Sequence, residues 1–171
     1  MKFILLLRHA KSSWSDPSLD DFDRPLAGRG IKDAPRMGKY LKKSGYKPDY
    51  IVSSPAARAV QTTRLCTEAM KLDESIIRWD EDLYFESVLN YIEAVQSAPE
   101  NADTMMVVGH NPLMEATATA LSGGRDTTAF RIPTAGLVCL ESYAVRWQDI
   151  KPGTCQVKWM MIPKVLREII D

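Results

Sequence analysis

The sequence predicts an α/β fold: a three-layer sandwich in which a mainly parallel central sheet is flanked by helices. Three observations carry this prediction. Apolar runs at residues 3–7, 50–52 and 104–108 lack the polar alternation of a half-wet sheet and read as strands covered on both faces. The second and third runs lead directly into segments of helical periodicity. Both junctions are punctuated alike, by a capping residue and then a proline (Ser54-Pro55 and Asn111-Pro112), which points to a repeated βα architecture.

Taken in chain order, the first strand ends abruptly at Arg8 and His9. A weaker helix follows over residues 30–43, using Ile31, Ala34, Gly38 and Leu41, with Pro35 either early in it or kinking it. "DYIVSS" is the second strand, with Ser54 as the cap and Pro55 in the first turn of a helix whose stripe is Ala56, Ala59, Val60, Thr63, Cys66 and Met70. "SIIRW" is a short strand; Val88, Tyr91, Ile92 and Val95 share a helical face, and Tyr84 and Phe85 are placed at the start of that helix. "TMMVVGH" leads through Asn111 as cap and Pro112 into a stripe of Leu113, Ala116, Thr117, Ala120 and Leu121. Residues 121–136 read as loop, "LVCLESY" and "CQVKWMMI" as late strands joined by the turn-rich "QDIKPGT", and "IPKVLREIID" as a docked terminal helix.

Composition sets the outer limits. At 171 residues the chain suits one domain, 1–171, with a substantial core. Its 22 Lys+Arg balance 22 Asp+Glu, so there is no general positive field for a nucleic acid, and any anion site must be local. Cys66, Cys139 and Cys155 are widely spaced and lack CxxC pairing, which argues against a disulfide framework or a zinc knuckle. The N-terminal apolar run is shorter than the roughly seven to fifteen residues of a signal peptide or the roughly twenty of a membrane span. The expected setting is cytoplasmic, with no membrane partner.

In an open α/β sheet the ligand crevice lies at the carboxyl ends of the strands. Three strand ends deliver polar groups there: Arg8 and His9, then Arg58 just past Ser54 and Pro55, then His110. The chain has only 2 histidines, and both fall at strand ends. Two guanidiniums offer forked donors to a tetrahedral oxyanion, and helix N-terminal N–H groups add to the same field. A neutral imidazole can attack phosphorus and leave it again, while a second imidazole supplies a hydrogen bond or proton. The spacing does not say which histidine attacks. A phosphoryl-transfer reading requires the two rings to lie within about 8 Å of one another.

"LLLRHAKSSW", "SSPAARAVQT" and "VVGHNP" together resemble the three signatures of the histidine phosphatase, or phosphoglycerate mutase-like, superfamily. "RHAK", "DFDRPLAGRG" and "PTAG" are most similar to its short SixA-type phosphohistidine phosphatase branch. The resemblance implies a phosphoglycerate mutase-like fold, His9 as the phosphorylated nucleophile, Arg8 and Arg58 on the phosphoryl oxygens, and His110 polarising the group. It implies no metal and no cofactor. Its expected ligands are phosphate or another oxyanion and a histidine-phosphorylated protein; oligomeric state is left open.

Further candidates are Lys11, facing the incoming phosphate or solvent; Asp23 and Arg24, pairing to brace the pocket loop or bordering the substrate; and Arg125, greeting an anionic substrate from a loop. The wider family often places an acid after the third strand to protonate an alkoxide. Here "WDEDLYFES" offers Asp80, Glu81, Asp82 and Glu86, with Glu81 and Asp82 as the candidate acids. A site without a strong acid suits phosphoramidate hydrolysis, because a phosphohistidine ring protonated on its other nitrogen departs as neutral imidazole. The rival readings are a small-molecule phosphomonoesterase or mutase, and a noncatalytic phosphate-recognition module.

Overall fold

In a computed structural model, which describes residues 1–125 and 129–170, Ile4, Leu5, Leu6 and Leu7 are all fully buried. The two-residue period of a strand sends them alternately into two cores. Ile4 and Leu6 pack with Tyr91, Ile92, Val95, Met114, Ala118 and Leu121. Leu5 and Leu7 pack with Met37, Leu41, Ala59, Cys66, Met70 and Leu166. Unbroken apolar strands are thus the consequence of helices on both faces.

The elements are β1 (Lys2–Arg8), α1 (Gly28–Ser44), β2 (Tyr50–Ser53), α2 (Ala57–Met70), β3 (Ile77–Trp79), α3 (Val88–Gln96), β4 (Thr104–Gly109), α4 (Leu113–Leu121), β5 (Leu137–Ser142), β6 (Gln156–Met161) and α5 (Pro163–Ile170). The strands form one six-stranded sheet in the order β3-β2-β4-β1-β5-β6. Pairs β2–β3, β2–β4 and β1–β4 are parallel, whereas β5 and β6 run antiparallel at one side. The α/β sandwich with its mainly parallel sheet is therefore the fold. α3 and α4 cover one face; α1, α2 and α5 cover the other.

Register places the site. Arg8 pairs with Gly109, and Ser53 with Val108, so β1, β4 and β2 finish level. The chain stays in step just beyond: His9 N–H donates to Gly109 O and Ser54 N–H to Val108 O, each at 3.0 Å.

Local chemistry differs from expectation at four places. α2 begins after Ala56, and the Ser54 hydroxyl, rather than capping it, bonds into the pocket. α4 is preceded by Pro112, and Asn111 reaches Glu115 and Ile132 instead of capping. Tyr84 and Phe85 do not begin α3, which Ser87 caps by accepting from Asn90 N–H; they form a turn before it. Pro35 sits inside α1, where the carbonyl of half-exposed Ile31 loses its intrahelical donor.

Candidate active site

The segment after β1 is locked from three sides. Ala10 N–H donates to the Thr62 hydroxyl at 2.9 Å, and that hydroxyl donates to Arg58 O at 2.7 Å. Ala135 N–H bonds the carbonyls of Arg8 and His9 at 3.1 and 3.0 Å. Ala27 N–H donates to Lys11 O at 2.8 Å, and a β-carbon at Gly30 would lie 2.3 Å from that same oxygen. The "GRG" glycine thus serves close backbone packing.

On this frame His9, Arg58 and His110 converge. All three are buried, at 7%, 2% and 1% exposure. The His9 and His110 ring centroids are 5.1 Å apart, and Arg58 Nε lies 3.4 Å from His9 Nε2. His9 Nδ1 is 2.7 Å from Ala10 O, which only accepts, so Nδ1 carries the proton and Nε2 keeps its lone pair. His110 Nε2 is 2.7 Å from Ser54 Oγ; its Nδ1 is buried with no partner among the described residues.

Burial, followed by the charges of Arg58, Arg8 and Arg24, lowers the His9 pKa to about 4, against a raising effect of the Ala10 hydrogen bond. Burial, then His9 and Arg58, lowers His110 to about 3. Both rings are neutral at pH 7. Arg8 donates from Nη1 to Ile132 O at 2.9 Å, while its Nε is buried with no partner among the described residues. Glu115 supports that arrangement by accepting from Ile132 N–H at 2.8 Å and from Asn111 Nδ2 at 2.9 Å. Two neutral imidazoles and two guanidiniums, with Arg8 Nε and His110 Nδ1 unpartnered among the described residues, form a polar set matched to a tetrahedral oxyanion.

The remaining candidates are spread out. Arg24 is buried and does brace the loop, but its partner is Asp21 rather than Asp23: Nε and Nη2 reach Asp21 Oδ1 at 3.1 and 3.0 Å. Nη1 donates to Ser12 Oγ and Ser13 O, and Trp14 stacks 3.4 Å from the guanidinium carbon. Asp23 and Lys11 are exposed. Glu81 and Asp82 are exposed on a 3-10 turn, and neither is hydrogen-bonded or ion-paired to the four pocket residues. Arg125 lies beyond the C-terminal end of α4, beside Gly153, about 14 Å of helix away from the His110 end. A loop arginine carries no sequence signal of which end of its helix it will adjoin.

The acid that reaches the pocket is Asp21. Its Oδ2 accepts from Arg58 Nη2 at 3.0 Å and from Tyr84 Oη at 2.6 Å, and its carbonyl accepts from Arg58 Nη1 at 2.6 Å. Burial works to raise its pKa, but the hydrogen bonds from Tyr84 and Arg24 and the charge of Arg58 outweigh it and hold it at about 2. Tyr84 and Phe85 close the other side, with centroids 5.5 and 4.9 Å from the His110 ring. Sequence spacing singled out neither Asp21, one of three acids in "DDFD", nor Glu115. Among the described residues, no three His, Cys, Asp or Glu side chains converge as a metal site, and no helix is long and apolar enough to cross a membrane.

An α/β sheet whose carboxyl edge gathers this donor set defines a class of phosphoryl-binding proteins. Residues 4–83 match the family model of the histidine phosphatase superfamily (branch 1). An uncharacterised protein of Mycobacterium tuberculosis is 34% identical over 165 residues, which cover 92% of this chain and 100% of that protein. A solved Agrobacterium tumefaciens structure, assigned as the phosphohistidine phosphatase SixA, is 30% identical with a TM-score of 0.79, over 95% of this chain and 98% of that one. The protein histidine phosphatase SixA in complex with tungstate shares the fold at a TM-score of 0.80 and 20% identity, over 96% and 99% of the two chains. The chain belongs to the histidine phosphatase superfamily, and its enzymatic class is phosphatase.

Proposed function

We propose that the protein removes the phosphoryl group from phosphohistidine in a protein, passing it through its own His9 to water without a metal ion. The observation that carries this reading is the 2.7 Å contact of His9 Nδ1 with Ala10 O, which leaves Nε2 as the lone-pair nitrogen of a neutral ring.

In the first half-reaction His9 Nε2 attacks phosphorus in line. The new N–P bond forms as the P–N bond to the substrate ring breaks, and the bonding pair returns to the substrate nitrogen. Arg8 and Arg58 balance charge on the transferring oxygens. In this reading the Ser54 hydroxyl, which accepts from Ala56 N–H at 3.3 Å, donates its own proton to His110 Nε2 at 2.7 Å, and His110 Nδ1–H donates to a phosphoryl oxygen. In the second half water attacks phosphorus: the O–P bond forms as the His9 Nε2–P bond breaks with its pair returning to Nε2, and the water protons leave on the phosphate. Because Ala10 O keeps Nδ1 protonated, His9 departs as neutral imidazole.

Two features support a phosphoramidate over an alkyl ester. The carboxylate beside Arg58 is held at about 2 and is no proton donor at neutral pH, and the rim is aromatic. The structural neighbours named SixA, one of them holding the oxyanion tungstate, agree with this reading.

The test compares hydrolysis of phosphohistidine, phosphoserine, phosphotyrosine and sugar phosphates without added metal, in wild type and in His9→Ala. The expected result is preference for phosphohistidine, loss of turnover by about 10³-fold or more in His9→Ala with phosphate binding retained, and label on His9 after alkaline digestion. Equal or better turnover of sugar phosphates defeats the substrate class. Undiminished turnover in His9→Ala defeats the mechanism.

A further inference from the structure

Arg58 spans the pocket. Its Nε faces the nucleophilic nitrogen of His9 at 3.4 Å, and its Nη2 ends on Asp21 Oδ2 at 3.0 Å. A carboxylate therefore stands one guanidinium away from the attacking atom, on the side where a substrate enters: the Asp21 side chain is 45% exposed although its partner Arg58 is only 2% exposed. For an ordinary phosphate ester this placement is unfavourable, since a dianionic group would share Arg58 with a second anion. The cost is offset when the leaving group itself carries positive charge or an N–H donor.

The chemistry on the His9 side shows which leaving group meets that condition. An imidazole bonded to phosphorus leaves readily only if its far nitrogen is protonated, and for His9 that proton is held by Ala10 O at 2.7 Å. The ring on the other side of the phosphorus has the same need. We propose that Asp21 is a specificity-determining residue whose Oδ2 accepts the far N–H of the substrate imidazole in place of the Tyr84 hydroxyl, which now sits there at 2.6 Å, while Tyr84 and Phe85 flank the plane of that ring. The transfer is then balanced between two like rings. The His9 Nε2–P bond forms, the P–N bond breaks with its electron pair returning to the substrate nitrogen, and the proton beside Asp21 stays on the departing neutral imidazole.

The surroundings are built for this. Asp21 is held by Arg24 from its own segment, Arg58 from α2 and Tyr84 from the turn after β3, with His110 beyond Tyr84. Phe22 packs edge-on to Tyr84 at 5.1 Å, and Tyr84 to Phe85 at 5.0 Å, so the rim is a continuous aromatic wall. Phe85 remains 45% exposed with φ of 58°, a left-handed backbone that a bulky residue adopts only under constraint. Its part-exposed ring lies 4.9 Å from that of His110, beside the phosphoryl site.

The inference rests on the phosphohistidine reading, and two substrates separate the two ideas. Phosphoimidazole carries a far N–H once its second ring nitrogen takes a proton, a form that the Asp21 carboxylate favours, whereas para-nitrophenyl phosphate leaves without one. In Asp21→Asn, whose amide oxygen still accepts from Arg58 and Tyr84 while its NH2 replaces the acceptor of Arg24, the ratio of kcat/KM for phosphoimidazole over para-nitrophenyl phosphate is expected to fall about tenfold or more, and inorganic phosphate to inhibit more tightly. Asp21→Glu, which keeps the charge, retains at least about a third of the wild-type ratio. An unchanged ratio in Asp21→Asn, or an equal collapse in Asp21→Glu, overturns the role and reduces Asp21 to a brace for Arg58. Wild-type protein that turns over the aryl phosphate but not phosphoimidazole defeats the substrate class and the Asp21 role with it.

Discussion

The phenol oxygen of Tyr91 accepts the backbone N–H of His110 at 3.0 Å and donates to the carbonyl of Leu83 at 2.9 Å. One fully buried side chain on α3 thus ties the histidine after β4 to the segment that carries Tyr84 and Phe85. Gly109 makes room for it, since a β-carbon there would lie 2.2 Å from the phenol oxygen.

Tyr91→Phe removes one oxygen and leaves two buried backbone groups without partners. The expected loss is about 1–3 kcal/mol of stability, read as a lower urea midpoint. Turnover falls as well, because His110 and the aromatic wall lose their common anchor. A variant as stable and as active as wild type would contradict this account.

Glu115 acts on Arg8 at one remove, through Ile132. Glu115→Ala leaves Ile132 N–H without its acceptor and removes one of the two acceptors of the Asn111 amide, so the carbonyl that orients Arg8 loosens. KM is expected to rise by roughly threefold to tenfold with a smaller change in kcat. Glu115→Gln, which retains an acceptor oxygen, restores most of the loss. Equal defects in both variants would show that the charge, rather than the hydrogen bonds, matters.

The low pKa values of the two histidines predict a pH dependence of known sign. Unfolded, each titrates near 6.5; folded, His9 does so at about 4 and His110 at about 3. Between those limits the unfolded chain binds more protons, so stability rises with pH through this window. Their contribution is complete above about pH 6.5 and is lost as pH falls toward 4 and then 3. Asp21 adds to the loss at the acid end, its pKa being lowered from 3.8 to about 2. With only 2 histidines in the chain, ring resonances in a proton NMR titration give the direct check. Both are expected to stay at their neutral positions down to about pH 5, and a midpoint near 6.5 for either would refute the buried, cation-lined environment.

Gly30 offers a purely structural check. Gly30→Ala drives a methyl group into the Lys11 carbonyl, which must shift along with the segment that carries His9. The expected result is a lower melting temperature together with weaker phosphate binding. Unaltered binding in a destabilised protein would separate the loop's packing from the geometry of the pocket.

Placement of Arg8, His9, Arg58 and His110 at one sheet edge was legible in the amino-acid order. Each follows an apolar run or a strand-to-helix junction, and such patterns depend on neighbours a few positions away. The same locality explains the errors. Ser54 and Asn111 carry the side chains of helix caps, but Ser54 is drawn to His110, 56 positions away, and Asn111 to Ile132. A propensity for capping yields where a buried imidazole or carbonyl needs a partner.

By itself, then, the sequence determined the layered α/β fold and the four groups at its carboxyl edge, because burial of whole strands leaves charged and imidazole side chains nowhere else to emerge. Tertiary structure decided that Asp21 rather than Asp23 meets the arginines, that Tyr84 and Phe85 wall the pocket, and that Arg125 lies at the far end of α4. Those outcomes hang on contacts between distant segments, such as Arg58 with Asp21 across 37 positions and Tyr84 with Asp21 across 63. Loop side chains have no period that announces which of them such contacts will select.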